Sequence, residues 1–425
     1  MFVSIILPIR NEAGSIAEVL AAVLAQDYPH DLIEVIVVDG MSDDGTRDIV
    51  RRLAVQDPRL KMLDNSQQIT PPALNLGIRA ARGEVIVRVD GHGVLPQNYV
   101  RECMAVLTGA QRPSPVQGSK LAVGCSMLDV PPAPSSPHAL PSTALLVVGG
   151  AWDSVGRGLT GEAIAIAVSS RFGVGNSRYR TCGLRGEPIQ TDTVPFWAMR
   201  RQVFERIGLF REEMLCHEDY EYNYRLRSAG GTILLLPWLR SKYYVRSTLG
   251  GLAYQYWRYG FWKGRFLCSH PESLKRRHVI PPLFVAALAA GALTSFLSMA
   301  GRFYLVMLVA LYACFLLAAT ANLACSRTRR RETAEAEPSA GCAAGVCPPS
   351  GAATSVNCQS SELSSGPTRS GHGSSSALSA LRTVLLPLVL ATLHLSWGAG
   401  VWIGLLRGKV PGVPPNLLPG RSASC

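Results

Sequence analysis

Charged residues are scarce in this 425-residue chain: Asp, Glu, Lys and Arg make up 17% of it, against 48% hydrophobic residues. A composition this apolar is unusual for a soluble enzyme and predicts a soluble domain joined to membrane helices. Acidic residues are scarcest between Asn223 and Cys325, where only Glu272 stands among twelve Lys and Arg residues. A basic segment that leads into apolar runs fits an anionic membrane surface better than it fits nucleic acid.

Several motifs are missing, and each absence argues against a class of protein. No Gly-x-Gly-x-x-Gly follows the first apolar run, which argues against a dinucleotide-binding oxidoreductase. The sequence also contains no Gly-x-x-x-x-Gly-Lys-Ser/Thr, which argues against a P-loop protein. The eleven cysteines include no Cys-x-x-Cys pair, so we expect reduced, structural cysteines and neither a disulfide framework nor a zinc site. Residues 1–7 lack the basic segment of a signal peptide, so we expect the soluble part to lie in the cytoplasm.

Over the first ninety residues, short apolar runs alternate with segments of helical spacing. The apolar runs, which predict buried strands, span residues 2–7, 32–38, 60–63 and 84–89. The segments with helical spacing span residues 15–24, 46–54 and 72–81. This alternation of strand and helix predicts a doubly wound α/β domain.

The fourth predicted strand ends in Asp90-Gly91-His92. Side chains alternate along an extended chain, so a carboxylate and an imidazole two residues apart point the same way. Open α/β sheets bind ligands at the carboxyl ends of their strands, and an oxygen and a nitrogen donor there can hold a divalent cation and, through it, a diphosphate. The alternative is a plain turn in which Asp90 caps the next segment.

Four motifs follow one another in this part of the chain. They are Pro8-x-Arg10-Asn11-Glu12, Val37-Val38-Asp39-Gly40-x-Ser42-x-Asp44-Gly45-Thr46, Asn75-x-Gly77-Ile78-x-x-Ala81-x-Gly83 and Asp90-Gly91-His92. The series resembles that of family 2 glycosyltransferases of the GT-A fold. The likeness to the succinoglycan-type exopolysaccharide branch of that family continues to about Pro282. This branch consists of membrane-bound enzymes that extend a lipid-linked sugar.

The resemblance assigns the first two motifs to the nucleotide. It implies that Asp39 accepts a hydrogen bond from a ring N–H of uracil or guanine, and that Pro8, Arg10 and Glu12 line the nucleoside pocket. The alternative for Asp39 is a carboxylate that caps the following helix. Asp44 is expected to cap the second helix and not to touch substrate.

Asp90-Gly91-His92 departs from the Asp-x-Asp that is commoner in the family. An imidazole in place of the second carboxylate suits Mn²⁺ as well as Mg²⁺ and removes one negative charge from the site. We expect Asp90 to bind the metal or the ribose of the nucleotide, and His92 to ligate the same ion.

Later in the chain, residues 218–226 match a second signature of the family, Glu-Asp-x-Glu-x-x-x-Arg-Leu. The resemblance makes Asp219 the general base that takes the proton of the acceptor hydroxyl, and Glu218 a group that orients Asp219 or binds the acceptor. General base catalysis requires a carboxylate within hydrogen-bond reach of that hydroxyl. The alternative is a pair of acids that complements the dipole of a helix N-terminus.

Two basic segments are expected to lie near the substrates. Gln255-x-x-Arg258-Tyr259 resembles the Gln-x-x-Arg-Trp motif of membrane synthases, which implies that Arg258 touches the nucleotide. The alternative is an interfacial helix whose rings lie at headgroup depth. Residues 173–180 are predicted to form a flexible loop, in which Arg178 or Arg180 meets a diphosphate or is solvated.

Three apolar segments, residues 280–300, 303–324 and 384–406, are each long enough to cross a bilayer. A basic cluster at residues 275–277 precedes the first segment, and another at residues 327–331 follows the second. Both clusters are expected to lie in the cytoplasm, with an outer hairpin at Gly301-Arg302 between the two segments. Residues 326–376 contain no aromatic residue and are rich in Ser, Gly, Ala and Glu, which predicts a disordered insert. The predicted catalytic domain spans residues 1–246, and an interfacial segment spans residues 247–279.

Together these features predict a multi-pass enzyme of a bacterial inner membrane with a cytoplasmic GT-A domain. It would move a hexose, with inversion, from a nucleotide diphosphate sugar, for which UDP is the expected nucleotide, to a polyprenyl-diphosphate-linked acceptor, with Mn²⁺ or Mg²⁺ as cofactor. No nucleic-acid partner is expected. Two alternatives stay open: a processive polysaccharide synthase, for which three helices are few, and a non-catalytic scaffold that binds nucleotide sugars.

Overall fold

A computed structural model describes residues 1–109, 145–183, 186–335 and 372–410 of the chain. The strand pair predicted from residue 114 onward and the proline-rich loop predicted at residues 129–141 lie outside the described residues.

Within the described residues, nine strands form one sheet. They are β1 Val3–Ile9, β2 Ile33–Asp39, β3 Leu60–Asp64, β4 Val85–Arg88, β5 Gly93–Val94, β6 Leu146–Val155, β7 Ile189–Gln190, β8 Ala198–Arg200 and β9 Thr232–Tyr244. Their order is β3-β2-β1-β4-β8-β6-β9-β5, with β7 paired to β9. The four N-terminal strands are parallel, while β8 runs antiparallel to both β4 and β6.

Thirteen α-helices accompany the sheet in the described part of the chain. They are α1 Ile16–Leu24, α2 Thr46–Gln56, α3 Thr70–Ala80, α4 Tyr99–Thr108, α5 Gly158–Val168, α6 Arg171–Val174, α7 Arg178–Thr181, α8 Arg201–Ile207, α9 Glu218–Ser228, α10 Leu249–Ser269, α11 Arg276–Leu297, α12 Met299–Glu335 and α13 His372–Leu406. The predicted order of strands and helices up to β4 is confirmed, with boundaries that differ by one or two residues at most ends. The basic segment at residues 173–180, predicted to be a loop, contains the short helix α7.

The N-terminal strands are apolar on both faces because both faces of the sheet are covered. Val3, Ile5 and Leu7 of β1 belong to one buried cluster, and Ile6 belongs to another on the opposite face. Burial on both faces is the usual condition of parallel strands and explains why their sequences are continuous apolar runs. Helix α1 covers the first face, and helix α3 covers the second.

The register of the parallel strands brings their carboxyl ends to one edge. Ile9 pairs with Asp39 across β1 and β2, and Ile6 pairs with Arg88 across β1 and β4. The polar residues that follow each strand therefore emerge side by side, which is where ligands bind in open α/β sheets. At the other edge, Arg82 precedes β4 and pairs with Glu34.

Strand β6 was not predicted, because Gly149 and Gly150 interrupt its apolar pattern. Both glycines lie where another chain segment passes closely, and a side chain at Gly150 would collide with the carbonyl group of Leu239. Strand β9 contains Pro237 in its interior. The pairing of β6 with β9 shifts register at this point, and a proline is tolerated in such an irregular stretch.

Three helices are long and apolar enough to cross a membrane: His278–Leu297, Met299–Ser326 and Leu381–Leu406. They correspond to the three predicted segments. The turn between the first two lies at Ser298, not at Gly301-Arg302, because Gly301 packs within helix α12 against the carbonyl of Thr294. Residues 326–335 and 372–376, expected to belong to a disordered insert, are helical ends of α12 and α13. Residues 336–371 lie outside the described part.

Helix α10, the predicted interfacial segment, packs closely along α13. A side chain at Gly260 would collide with the carbonyl of Trp397, and one at Gly404 would collide with the carbonyl of Phe261. Small residues that let helix backbones approach are typical of helix pairs in membranes. This contact fixes the catalytic domain against the third apolar helix, because α10 directly follows the last strand of the sheet.

Candidate active site

A cavity of about 1210 Å³ lies between the carboxyl edge of the sheet and the apolar helices. One end is lined by the ionisable side chains Asp90, His92, Glu218 and Asp219. The other end is lined by apolar and aromatic side chains of α11, α12 and α13, namely Ile280, Pro281, Phe284, Phe315, Leu393 and Trp397. The cavity therefore joins the predicted catalytic residues to the predicted membrane segments.

Arg88 occupies the centre of the ionisable end. It is the last residue of β4, and its side chain is only 7% exposed. Its Nε donates to Oδ1 of Asp90 at 2.8 Å, its Nη1 donates to Oδ1 of Asp219 at 2.6 Å, and its Nη2 lies 3.3 Å from Oε1 of Glu218. One guanidinium thus meets three carboxylates that come from two parts of the chain.

Asp219 lies in the first turn of α9, as predicted from the acidic pair that opens this helix. Two donors bond the same oxygen, Oδ1: the guanidinium of Arg88 and the indole Nε1 of Trp197, the latter at 3.3 Å. Among the described residues no donor bonds Oδ2. Since the side chain is 32% exposed, this second oxygen is free to accept a proton from a group in the cavity.

The acidic pair has perturbed pKa values. Burial and the neighbouring charge of Asp219 raise the pKa of Glu218 to about 7. Burial raises the pKa of Asp219, and although Arg88 opposes this effect, the negative charge of Asp90 adds to it. Burial is the larger cause for both groups, and the mutual repulsion of three carboxylates around one guanidinium adds to it.

His92 and Glu12 form a second polar pair at this edge. Nδ1 of His92 lies 2.9 Å from Oε1 of Glu12, and Ser15 donates to the other carboxylate oxygen at 3.0 Å. Burial disfavours protonation of the imidazole, but the hydrogen bond with Glu12 and the negative charges of Glu12 and Asp90 together outweigh it and raise the pKa of His92. Glu12 was predicted to touch the nucleoside; its contacts in the structure orient His92.

The donor set at this edge fits a cation that arrives with a diphosphate. The described residues contain no group of three or more His, Cys, Asp and Glu side chains that could hold a metal by themselves. Asp90 and His92 nevertheless offer one oxygen and one nitrogen, since Arg88 takes only Oδ1 of Asp90 and Glu12 takes only Nδ1 of His92. Divalent cations at nucleotide sites are commonly held by one or two protein ligands plus phosphate oxygens and water.

The other predicted nucleotide residues lie at the same edge but do not line the cavity. Asp39 is fully buried and accepts hydrogen bonds from Ser42 and from Arg47, the latter at 2.6 Å. Arg10 is exposed and donates to the carbonyl of Gln68, while Pro8 lies within β1. The contacts of Asp39 are those of a carboxylate that holds its own turn, and its role in base binding stays a prediction.

Asp44, predicted to cap the second helix, precedes the N-cap residue Gly45 and accepts hydrogen bonds from the backbone N–H and the hydroxyl of Thr46, the first residue of α2. Arg258 lines the cavity and donates to the carbonyl of Leu215. Of the two arginines considered for a diphosphate, Arg180 lines the cavity and lies over the ring of Trp152 at 4.6 Å. Arg178 lines a separate shallow pocket.

Three contributors to the site were not predicted: Arg88, Trp197 and Tyr243. Arg88 carried a signal, because it is a charged residue in the otherwise apolar run of residues 85–89. Tyr243 stacks on Trp152 with ring centroids 3.8 Å apart and also contacts His92. No local pattern marks Trp197 or Tyr243, because their neighbours in the site are distant in sequence.

The comparisons with known proteins identify the family of the chain. The family model "Glycosyl transferase family 2" matches residues 4–112. The succinoglycan biosynthesis protein ExoA of Rhizobium meliloti (strain 1021) is 30% identical over 298 residues, which are 68% of this chain and 77% of that protein. The chain belongs to glycosyltransferase family 2. It is therefore a glycosyltransferase, and its sheet and helices form the GT-A fold that the sequence motifs implied.

Other relatives are more distant. A dolichyl N-acetyl-alpha-D-glucosaminyl phosphate 3-beta-D-2,3-diacetamido-2,3-dideoxy-beta-D-glucuronosyltransferase of Methanococcus voltae is 24% identical and covers 62% of this chain and 73% of that protein. Among solved structures, the mannosyltransferase PcManGT of Pyrobaculum calidifontis in complex with GDP-Man and Mn²⁺ is 21% identical, with a TM-score of 0.43 over 72% of this chain and 84% of that one.

The raised pKa values predict a pH-dependent rate of glycosyl transfer. A base must be ionised to accept a proton, so the rate should fall as the pH falls through the raised pKa of the Glu218–Asp219 pair. In Glu218→Gln, the group whose pKa is raised to about 7 is gone, so its titration should disappear from the kcat profile and the acid limb should move to lower pH, where Asp219 alone is protonated. The measurement is kcat across a series of buffers from acid to neutral pH.

The exposed Glu205 provides the matched control. Glu205→Gln removes the same charge outside the cavity and should leave the profile unchanged. A Glu218→Gln profile that coincides with the wild type, or moves to higher pH, would contradict the coupling between the two carboxylates.

Proposed function

We propose that this glycosyltransferase is membrane-bound and inverting, and that it moves a hexose from a nucleotide diphosphate sugar to a lipid-linked saccharide in exopolysaccharide or other cell-surface glycan biosynthesis. The observation that carries this proposal is the continuity of one cavity from Asp219 to the apolar helices. A sugar acceptor on a lipid needs both ends of such a cavity at once. The name of the relative from Rhizobium meliloti, a succinoglycan biosynthesis protein, supports the same assignment.

The proposed reaction is a single displacement. Oδ2 of Asp219 takes the proton of an acceptor hydroxyl, and the hydroxyl oxygen forms a bond to the anomeric carbon of the donor sugar. The bond from that carbon to the diphosphate breaks, and the nucleoside diphosphate leaves with the electron pair. Arg88 and Trp197 hold Oδ1 of the base, which keeps Oδ2 directed away from them.

The departing diphosphate needs a positive charge beside it, and Arg88 does not provide one because its guanidinium already pairs with three carboxylates. A divalent cation, Mn²⁺ or Mg²⁺, held by Asp90 and His92 would supply it by neutralising the departing diphosphate. The nucleoside itself would lie at the carboxyl ends of β1 and β2, near Pro8, Arg10 and Asp39. UDP is the nucleotide we expect.

The acceptor would enter from the membrane end of the cavity. Arg180 and Arg258 also line the cavity, and neither pairs with a carboxylate among the described residues. Two guanidinium groups without a carboxylate partner suit the diphosphate of a polyprenyl carrier. Beyond them, aromatic and aliphatic side chains such as Phe284, Phe315 and Leu393 suit its hydrocarbon chain.

The proposed location is a bacterial inner membrane, with the catalytic domain in the cytoplasm. The basic residues that precede α11 and that follow the apolar part of α12 would both face the cytoplasm, in agreement with the positive-inside rule. Nucleotide sugars are then available to the site on the same side as the domain.

Replacement of the proposed base tests the function directly. In Asp219→Asn the amide cannot accept the acceptor proton, so transfer should fall roughly 10²- to 10⁴-fold. The assay gives membranes UDP-glucose, UDP-galactose or GDP-mannose, a divalent cation and a polyprenyl-diphosphate sugar extract, and it measures release of the nucleotide. If the wild type releases the nucleotide from only one donor, and Asp219→Asn does not release it, that donor is the substrate.

Asp153 supplies the control, because it lies on β6 outside the cavity and pairs with Arg240 of β9. Asp153→Asn should keep the wild-type rate. Full activity of Asp219→Asn would exclude its role as the base, and tight nucleotide binding without turnover in the wild type would indicate a scaffold.

The pairing of Glu12 with His92 generates a prediction about the cation. A metal-bound imidazole commonly depends on a carboxylate at its other nitrogen, and loss of that partner costs about 10- to 100-fold in metal affinity. Glu12→Gln should therefore raise the Mn²⁺ concentration that gives half-maximal activity by about that factor.

Chelation with EDTA should abolish activity, and added Mn²⁺ should restore it. Glu18→Gln, in helix α1, is the control, since Glu18 contacts Tyr244 and not His92. A half-maximal Mn²⁺ concentration that is the same in Glu12→Gln and wild type would show that His92 does not ligate the cation through this arrangement.

A further inference from the structure

Arg88 is a fixed cation at the meeting point of the donor and acceptor sides of the cavity. Its strand, β4, leads into the donor-side carboxylate Asp90, and its guanidinium reaches the acceptor-side carboxylates Glu218 and Asp219 on α9. These carboxylates are 130 or more residues away along the chain. No other contact described above joins the two sides so directly.

The geometry of the contacts distinguishes positioning from simple charge compensation. A guanidinium is planar and rigid, and its N–H groups point in fixed directions. Here Nε, Nη1 and Nη2 each face a different carboxylate, at 2.8, 2.6 and 3.3 Å. The relative positions of Asp90 and Asp219 are therefore set by the dimensions of one rigid group.

The bonding of Asp219 shows what this arrangement achieves. Its Oδ1 accepts from both Arg88 and Trp197, so rotation of the carboxylate would break two hydrogen bonds. The oxygen that remains, Oδ2, has one orientation in the cavity. A lysine in place of Arg88 carries the same charge, but its ammonium is a compact group on a flexible stem and cannot hold three carboxylates in a plane.

We propose that Arg88 is a positioning residue for glycosyl transfer: its guanidinium fixes the proton-accepting oxygen of Asp219 relative to Asp90 on the donor side. The inference rests on the proposed role of Asp219 as the base. It assigns to Arg88 a positioning role that a lysine side chain of equal charge cannot perform.

Arg88→Lys tests the inference in the purified full-length chain, with the nucleotide that the wild type releases as the probe. A small misplacement of a catalytic group can cost about 10²-fold, so kcat should fall by about that factor. The affinity for the nucleotide and the acceptor KM should change by less than about threefold, because neither binding step depends on the orientation of Oδ2.

A double-mutant cycle separates positioning from a structural role. If Arg88 acts through Asp219, then Arg88→Lys should cost nothing further when Asp219→Asn is already present. Losses that multiply in the double variant would overturn the inference, as would a kcat for Arg88→Lys within about threefold of wild type.

Arg59 is a matched control, because it is also a largely buried arginine and it pairs with Asp57 outside the cavity. Arg59→Lys should lower the melting temperature and leave kcat unchanged. Arg88→Gln is the second variant at the site itself. If neither Arg88 variant binds the nucleotide, Arg88 is a structural residue and the inference is wrong.

The outcomes also distinguish this inference from the proposed function. An active Asp219→Asn would remove the base and this inference together. An inactive Asp219→Asn with a fully active Arg88→Lys would leave the proposed function intact and remove only the role of Arg88.

Discussion

The guanidinium of Arg88 meets three carboxylates where the parallel part of the sheet ends, and most properties of the site depend on that contact. It joins the loop after β4 to the first turn of α9. Burial raises the pKa values of Glu218 and Asp219, and because the carboxylates outnumber the guanidinium, the remaining negative charge raises them further. The same excess attracts a divalent cation and disfavours a diphosphate without one. These electrostatics support the proposal that a divalent cation accompanies the diphosphate.

The second constraint is the attachment of the site to the apolar helices. Helix α10 follows the last strand and approaches α13 closely at glycines such as Gly260 and Gly404. This packing places aromatic side chains from three apolar helices at one end of the catalytic cavity. A family 2 glycosyltransferase with such a cavity can act on a substrate that is partly embedded in a bilayer, which is the basis of the proposed lipid-linked acceptor.

Local sequence patterns were sufficient to predict the strands and helices from β1 to β4. Buried runs such as Val3–Ile9 and Ile33–Asp39 show in the sequence because each strand is covered on both faces. The pair Glu218-Asp219 was placed correctly at the start of a helix by the same kind of pattern. Strand β6 was missed, because its glycines serve contacts with distant backbone, and these contacts leave no periodic signal.

The network around Arg88 could not be predicted for a related reason. The chain shows a charged residue in an apolar strand, but its partners on α9 follow 130 residues later, and only the fold brings them together. Asp39 illustrates the opposite case. Its motif predicted a nucleotide contact, and the structure shows the carboxylate bonded to Ser42 of its own turn and to Arg47 of α2.

The fate of the transferred sugar tests the central claim most directly. Membranes that contain the full chain would receive each radiolabelled nucleotide sugar in turn, and the label would be followed into the butanol-extractable lipid fraction. The account predicts that label from one donor enters the lipid fraction with an anomeric configuration opposite to that of the donor. Label that stays in the aqueous phase for every donor, or a lipid product that retains the configuration of its donor, would contradict it.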